Sequence, residues 1–161
     1  MRNPPALKVD PNAVSIWRIK AALSSLFYGL VPLAYFFLSK KLEQLPLWGF
    51  WSLLTLAVLI YLFEVLLVPV IRYRTLRYEI TAEEVYLQAG VFNVRRSLIP
   101  MNRVQHVETA QGMLLRAYSL ANVTVYTAAG KHQIPALQLQ VADDLRNRIA
   151  EFAKVVDDDD V

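Results

Sequence analysis

LWGFWSLLTLAVLIYLFEVLLVPVI, from Leu47 to Ile71, carries a single charged residue, Glu64. Coiled into a helix it covers about 37 Å against a hydrocarbon core of about 30 Å, so it spans a bilayer with some tilt. Its sixteen Leu, Ile, Val and Phe residues favour insertion by on the order of 5 to 10 kcal/mol, while one central carboxylate costs roughly 3 kcal/mol. Insertion wins. The preceding run, AALSSLFYGLVPLAYFFL from Ala21 to Leu38, has no charge and covers about 27 Å as a helix, just enough to cross. Only Ser39 to Pro46 joins the two runs, which predicts an antiparallel transmembrane hairpin with both termini on one side.

The first run is not a cleaved leader on this reading. It is longer than the apolar part of a signal peptide, and Phe36-Phe37-Leu38 leads into Ser39-Lys40-Lys41 with no small-residue cleavage pattern. Arg2, Lys8, Arg18 and Lys20 flank it on one side, and Arg72, Arg74 and Arg77 follow the second run. The connecting loop has only Lys40 and Lys41. The excess of basic residues at the termini places both in the cytoplasm and the loop outside. Trp48 and Trp51 then suit the outer interface, Tyr73 and Trp17 the inner one. A multi-pass protein of the cytoplasmic membrane is expected.

Hydrophobic residues make up 55% of the chain, more than an ordinary soluble domain carries, and the excess lies between Ala21 and Ile71. After Arg72 charges return and roughly 85 residues remain, enough for one small core. The absence of cysteine excludes disulfides and thiolate metal sites. Residues 1–20 read as a cytoplasmic flank, 21–71 as the hairpin, 72–156 as one domain and 157–161 as an acidic tail. Asp157 to Asp160 is a charge run expected to be solvated and without fixed structure.

Within the domain the apolar period shortens to two. Leu76–Thr81 and Glu84–Ala89 alternate around the turn Thr81-Ala82-Glu83, and further short stretches cover Val94–Ile99, Val104–Thr109, Leu120–Thr127 and His132–Ile134. These predict about six strands, with one helical turn over Met113–Tyr118. From Leu139 the spacing becomes helical, with Val141, Ala142, Leu145, Ile149, Phe152 and Val156 on one face. Six to seven antiparallel strands capped by one C-terminal α-helix is the order of a pleckstrin-homology-like (PH-like) barrel.

Specific residues carry a resemblance to a family. Tyr78-Glu79-Ile80-Thr81, Gly90-Val91-Phe92, Arg95 and Ile99-Pro100-Met101-Asn102-Arg103-Val104-Gln105-His106-Val107 resemble the bacterial PH family of YdbS-like membrane proteins. Gln111-Gly112, Leu115-Arg116, Tyr118-Ser119-Leu120-Ala121 and Thr127-Ala128-Ala129-Gly130 extend the match. It runs from about Trp17 to Phe152, and its most specific part is Ile99-Pro100-x-x-Arg103-Val104-Gln105. Ser119 stands where the family usually has glycine. The resemblance implies a PH-like fold, a role at the membrane, no known catalytic residue and no cofactor. It also implies a membrane protein partner with several related PH-like domains.

Four groups of residues are candidates for function. Glu64 sits near 10 Å deep by helical rise, where a lone carboxylate is costly. Its level on the first helix matches Ser24, Ser25 or Tyr28, and Tyr28 has a hydroxyl to donate. The carboxyl either fixes helix packing, meets a partner or takes part in a proton or ion path. Ala21, Ser25 and Gly29 form a row of small residues that suits close helix approach, to the second helix or to another protein. Arg72, Arg74 and Arg77 form a juxtamembrane collar, each gaining about 1 kcal/mol at an anionic leaflet. Arg103, beside a proline turn, is expected to pair with Glu108 or Glu79.

His106 and His132 lack metal-ligand spacing, and no phosphate loop or nucleophile elbow is present. Neither metal, cofactor, catalysis nor nucleic acid is expected. Two classes remain: a membrane-tethered PH-like binding or scaffold module that meets a membrane protein partner, a second copy or anionic headgroups, and a small oligomeric transport or channel subunit using Glu64.

Overall fold

The computed structural model describes residues 5–42 and 46–159, the side chains through residue 152. The chain forms two units: an apolar hairpin over Val14–Ile71, and a β domain built from the segments on both sides of it, through Ala13 and from Arg72 onward.

Helix α1 (Ala13–Lys41) begins eight residues before the charge-free run. Its start is set by polar chemistry rather than hydropathy. The Asp10 carboxylate accepts the Asn12 amide at 2.8 Å, and the Asp10 carbonyl accepts the Ala13 amide at 3.0 Å, a local turn that aims the chain into the helix. The second span comprises α2 (Leu47–Leu62), a π-helical turn (Phe63–Leu67) and α3 (Val68–Thr75). Pro69 follows that turn with one residue, Val68, between them. Lacking an N–H for the Val65 carbonyl and crowding it with its ring, a proline here is accommodated by a widened turn upstream. Both spans are 29 residues long, about 44 Å by helical rise, sufficient to cross a bilayer.

Inside the hairpin, Phe36 and Phe50 meet with ring centroids 5.4 Å apart. The Tyr35 hydroxyl donates to the Pro46 carbonyl at 2.9 Å and lies against Gly49, where a Cβ would collide with it. Gly49 is thus the close-approach glycine. A Cβ on Gly29 would meet nothing within 4 Å, so the end of the Ala21–Ser25–Gly29 row is open.

In the β domain the strands are β1 (Leu7–Lys8), β2 (Arg77–Ile80), β3 (Glu84–Ala89), β4 (Arg95–Pro100), β5 (Val104–Ala110), β6 (Leu120–Thr127) and β7 (Gly130–Gln138). They form two antiparallel sheets in the orders β1-β2-β3-β4 and β5-β6-β7. The Thr81 side chain closes the β2–β3 turn, accepting the Glu84 amide at 3.1 Å. Helix α4 (Met113–Ala117) sits between β5 and β6, and α5 (Leu139–Asp159) packs on β5, β6 and β7. Ala142, Leu145 and Ile149 of α5 are buried with Val85, Leu87, Ile99, Met101, Leu120, Val123, Val125, Ile134 and Leu137. A Leu or Ile side chain fully buried there contributes about 1.5 to 3 kcal/mol.

The order of elements is the PH-like one, with several differences from the expected boundaries. Residues 5–13 are not a separate flank: Leu7 pairs with Tyr78 and Lys8 with Arg77, and Val9 and Ala13 are buried. Trp17, in the first turns of α1, is 9% exposed. Strand β7 runs on through Pro135, which an edge strand tolerates because no ladder partner needs its missing N–H. Val141 is 40% exposed; it lies off the buried face that Ala142, Leu145 and Ile149 share. Helix α5 continues through Asp159, so the acidic run begins as helix, and Asp160 lies outside the described residues.

Candidate functional site

The Ile99-Pro100-Met101-Asn102-Arg103-Val104-Gln105 motif carries the chain from the last strand of one sheet into the first strand of the other. Pro100, at φ −62°, leads into a 3₁₀ turn over Met101–Arg103. Met101 is 1% exposed, and its amide donates to the Glu83 carbonyl at 2.9 Å, which pins the turn to the β2–β3 connection. Ile99 is buried core. With those two residues facing inward, the polar ones between and after them are left at the surface: Asn102, Arg103 and Gln105 are exposed.

Gln105 is a bulge residue. Val104 pairs with Thr127 and His106 with Tyr126, leaving Gln105 without a cross-strand partner. A bulge turns its side chain out of the regular alternation and bends the strand. Pro100, Asn102, Arg103, Val104 and Gln105 thereby line an open cleft of about 430 Å³ opposite Thr127, Ala128, Ala129 and His132. The far wall is the β6–β7 turn. Arg103 and His132 face no acidic side chain in the lining, and Arg103 has no ion pair among the described residues. The expected Arg103 pairing with Glu108 or Glu79 is replaced by another contact: Glu108 accepts the Tyr126 hydroxyl at 3.0 Å, and Tyr126 stacks on His106 with centroids 4.2 Å apart. Hydrogen bonding to that carboxylate pushes the Tyr126 phenol up from its ordinary value. The cleft suits an anionic or hydrogen-bonding group, with Pro100, Val104 and the two alanines for apolar contact.

The other candidate residues lie elsewhere. The Tyr28 hydroxyl donates to Glu64 Oε1 at 3.2 Å, with Glu64 in the π-helical turn. Ser25 is buried and donates to the Ala22 carbonyl at 3.0 Å. Ser25 and Gly29 line a groove of about 210 Å³ with Leu54, Ala57 and Tyr61, while Ala21 is outside that lining. Arg72 and Arg74 occupy the last turn of α3, favourable positions for cations at a helix C-terminus. Arg77 is half-buried in β2. The three arginines thus belong to two elements, α3 and β2. Among the described residues no cluster of three His, Asp or Glu side chains could hold a metal ion.

Sequence reasoning missed the contacts at Thr75. The Thr75 hydroxyl donates to the Gly90 carbonyl, Gln88 Nε2 donates to the Thr75 carbonyl at 3.0 Å, and Arg96 Nε donates to Gln88 Oε1 at 2.9 Å. The one available signal was Gln88, a long polar side chain in an otherwise apolar segment.

Comparison with known proteins bears on what this arrangement is. The profile of the bacterial PH domain matches residues 26–153, from within α1 to within α5. The chain belongs to the bacterial PH domain family. It is also 38% identical over 159 residues, 99% of each chain, to the UPF0699 transmembrane protein YdbS of Bacillus subtilis. No solved structure matches. The family match takes in the apolar helices and the barrel together, so this bacterial PH domain protein is a membrane protein, and its PH-like module is membrane-associated.

Proposed function

We propose that the chain is a membrane-anchored PH-like binding or scaffold module at the cytoplasmic membrane face. It holds a membrane protein partner or anionic headgroups and performs no catalysis. The observation that carries this reading is the cleft: the family's most specific motif turns its polar residues, Arg103 and Gln105 among them, into a concave surface with no acidic lining. The β domain draws on the chain both before and after the hairpin, which supports having both ends of the hairpin on one side. The basic flanks favour the cytoplasmic side. Arginine at the centre of an interface commonly costs 2 kcal/mol or more when removed, about 30-fold in affinity. Capture of the tagged full chain from native membranes, followed by quantification of each copurifying protein, tests the reading. Arg103→Glu is expected to lose a partner that the parent chain retains, and Glu64→Gln is expected to keep it. Equal recovery with all three proteins would count against the cleft.

A second reading rests on Glu64, because π-helical turns recur at functional sites and this one carries the hairpin's intramembrane carboxylate. In that case the chain is an oligomeric transport or channel subunit, regulated by its PH-like domain. Glu64→Gln would then abolish solute or proton flux in proteoliposomes while assembly stays intact.

A further inference from the structure

The β3–β4 connection has an unusual composition for a solvated loop. Gly90-Val91-Phe92-Asn93-Val94 is followed by Arg95 and Arg96, and no acidic residue occurs between Glu84 and Glu108. Phe92 is 83% exposed and Val94 43%. Two arginines head the next strand, paired with Ala89 and Gln88 and exposed to solvent. The loop has a built shape: Gly90 adopts φ +143°, and a Cβ there would run into the Asn93 carbonyl, so glycine is required for the close return of the chain. It is also tied to the residue at which the second apolar helix ends. Thr75 bonds to the Gly90 carbonyl and to Gln88, and Gln88 in turn holds Arg96.

We propose that this loop is a lipid-inserting wedge, with Phe92 and Val94 entering the interfacial layer of an anionic leaflet and Arg95 and Arg96 binding its phosphates. The proposal rests on the membrane-module reading and deepens it by naming the lipid-facing element. An exposed aromatic and aliphatic tip flanked by cations is the pattern that an anionic membrane surface attracts by both apolar burial and charge. The Thr75 contacts fasten the base of the loop, Gln88 and Gly90, to the residue that ends α3, four residues past the apolar run in sequence. A soluble acidic protein would satisfy the arginines but gives no reason for the loop to be fastened at that residue.

The chain has no cysteine, so Asn93→Cys offers one labelling site that leaves Phe92 in place. The full chain carrying an environment-sensitive fluorophore at 93 is reconstituted in phosphatidylcholine–phosphatidylglycerol vesicles with nitroxide lipids. A Met113→Cys probe, on a residue 91% exposed in α4, serves as the reference. Blue-shifted emission at 93, quenched several-fold more strongly than at 113, is the expected result. Phe92→Asp should remove the difference, and Arg95→Gln with Arg96→Gln should reduce it. Emission at 93 as aqueous as at 113 would overturn the wedge. Because the apolar helices retain every variant in the bilayer, that outcome would leave partner capture through the cleft intact, and the two failures are distinguishable. Equal quenching in vesicles without phosphatidylglycerol would overturn the assignment of Arg95 and Arg96 to headgroups, and quenching that survives Phe92→Asp would overturn the role of Phe92.

Discussion

Ser119 and Tyr78 illustrate how single residues bear the cost of this fold. Ser119 takes φ +54°, a left-handed conformation that glycine adopts without penalty and other residues at roughly 1 to 2 kcal/mol. Ser119 thus holds, after Tyr118, a turn that glycine would take freely. Tyr78, 4% exposed in β2, is held neutral by burial, which pushes its phenol above the ordinary value. The folded state binds that proton more tightly than the unfolded state, whose tyrosine titrates near 10. The resulting contribution is complete below about pH 10 and is lost as pH rises through the folded value. Thermal midpoints measured from neutral pH into the alkaline range should therefore decline less steeply above about pH 10 in Tyr78→Phe than in the parent. Identical alkaline slopes would refute the assignment.

At the scale of elements, the N-terminal segment and the bulged strands explain what periodicity alone could not. Asp10 starts α1 through its bonds to Asn12 and Ala13, donates its own amide to the Ala136 carbonyl at 3.1 Å and accepts Gln138 Nε2 at 3.0 Å. Ala136 is itself at φ +53°, with its amide bound to the Asn122 side chain at 2.9 Å. One aspartate therefore joins a helix start to an irregular edge strand. Asp10→Ala should destabilise the folded chain by about 1 kcal/mol through the helix start alone, and by more if the Gln138 bond adds its share. Asp10→Asn keeps most of the turn chemistry and should lie between the parent and Asp10→Ala in stability. Chemical denaturation followed by near-ultraviolet circular dichroism would read the ranking, and an Asp10→Ala protein as stable as the parent would contradict it.

For the whole molecule, the prediction concerns the basic flank. Arg72 and Arg74 on α3 and Arg77 on β2 lie within six residues in sequence, at the passage from apolar helix to β domain. With each contributing about 1 kcal/mol at an anionic leaflet, replacing all three by Gln should lower retention of anionic lipid on the full chain by on the order of 100-fold. Native mass spectrometry of the detergent-extracted protein, titrated with phosphatidylglycerol, would measure that loss; unchanged lipid occupancy would remove the collar from the functional account. The effect should weaken with salt where the arginines are exposed, as screened surface charges do.

The sequence by itself determined the elements whose driving force is local: two apolar spans, the alternation of β2 to β6, the turn of helix after Gly112 and the amphipathic α5. In these, neighbouring residues along the chain share one solvent or one face, so composition and period suffice. The motif at Ile99 to Gln105 was likewise legible as a motif, but not as a surface. That Ile99 and Met101 turn inward while Gln105 sits in a bulge opposite Ala128 depends on which strand pairs with β5. Tertiary structure alone decided that Leu7 and Lys8 complete a sheet with β2, that β7 continues through Pro135, and that Thr75 fastens the β3–β4 loop. Each of these contacts joins residues far apart in sequence or rests on a backbone irregularity, and pairing of that kind leaves no periodic trace in the residues that make it.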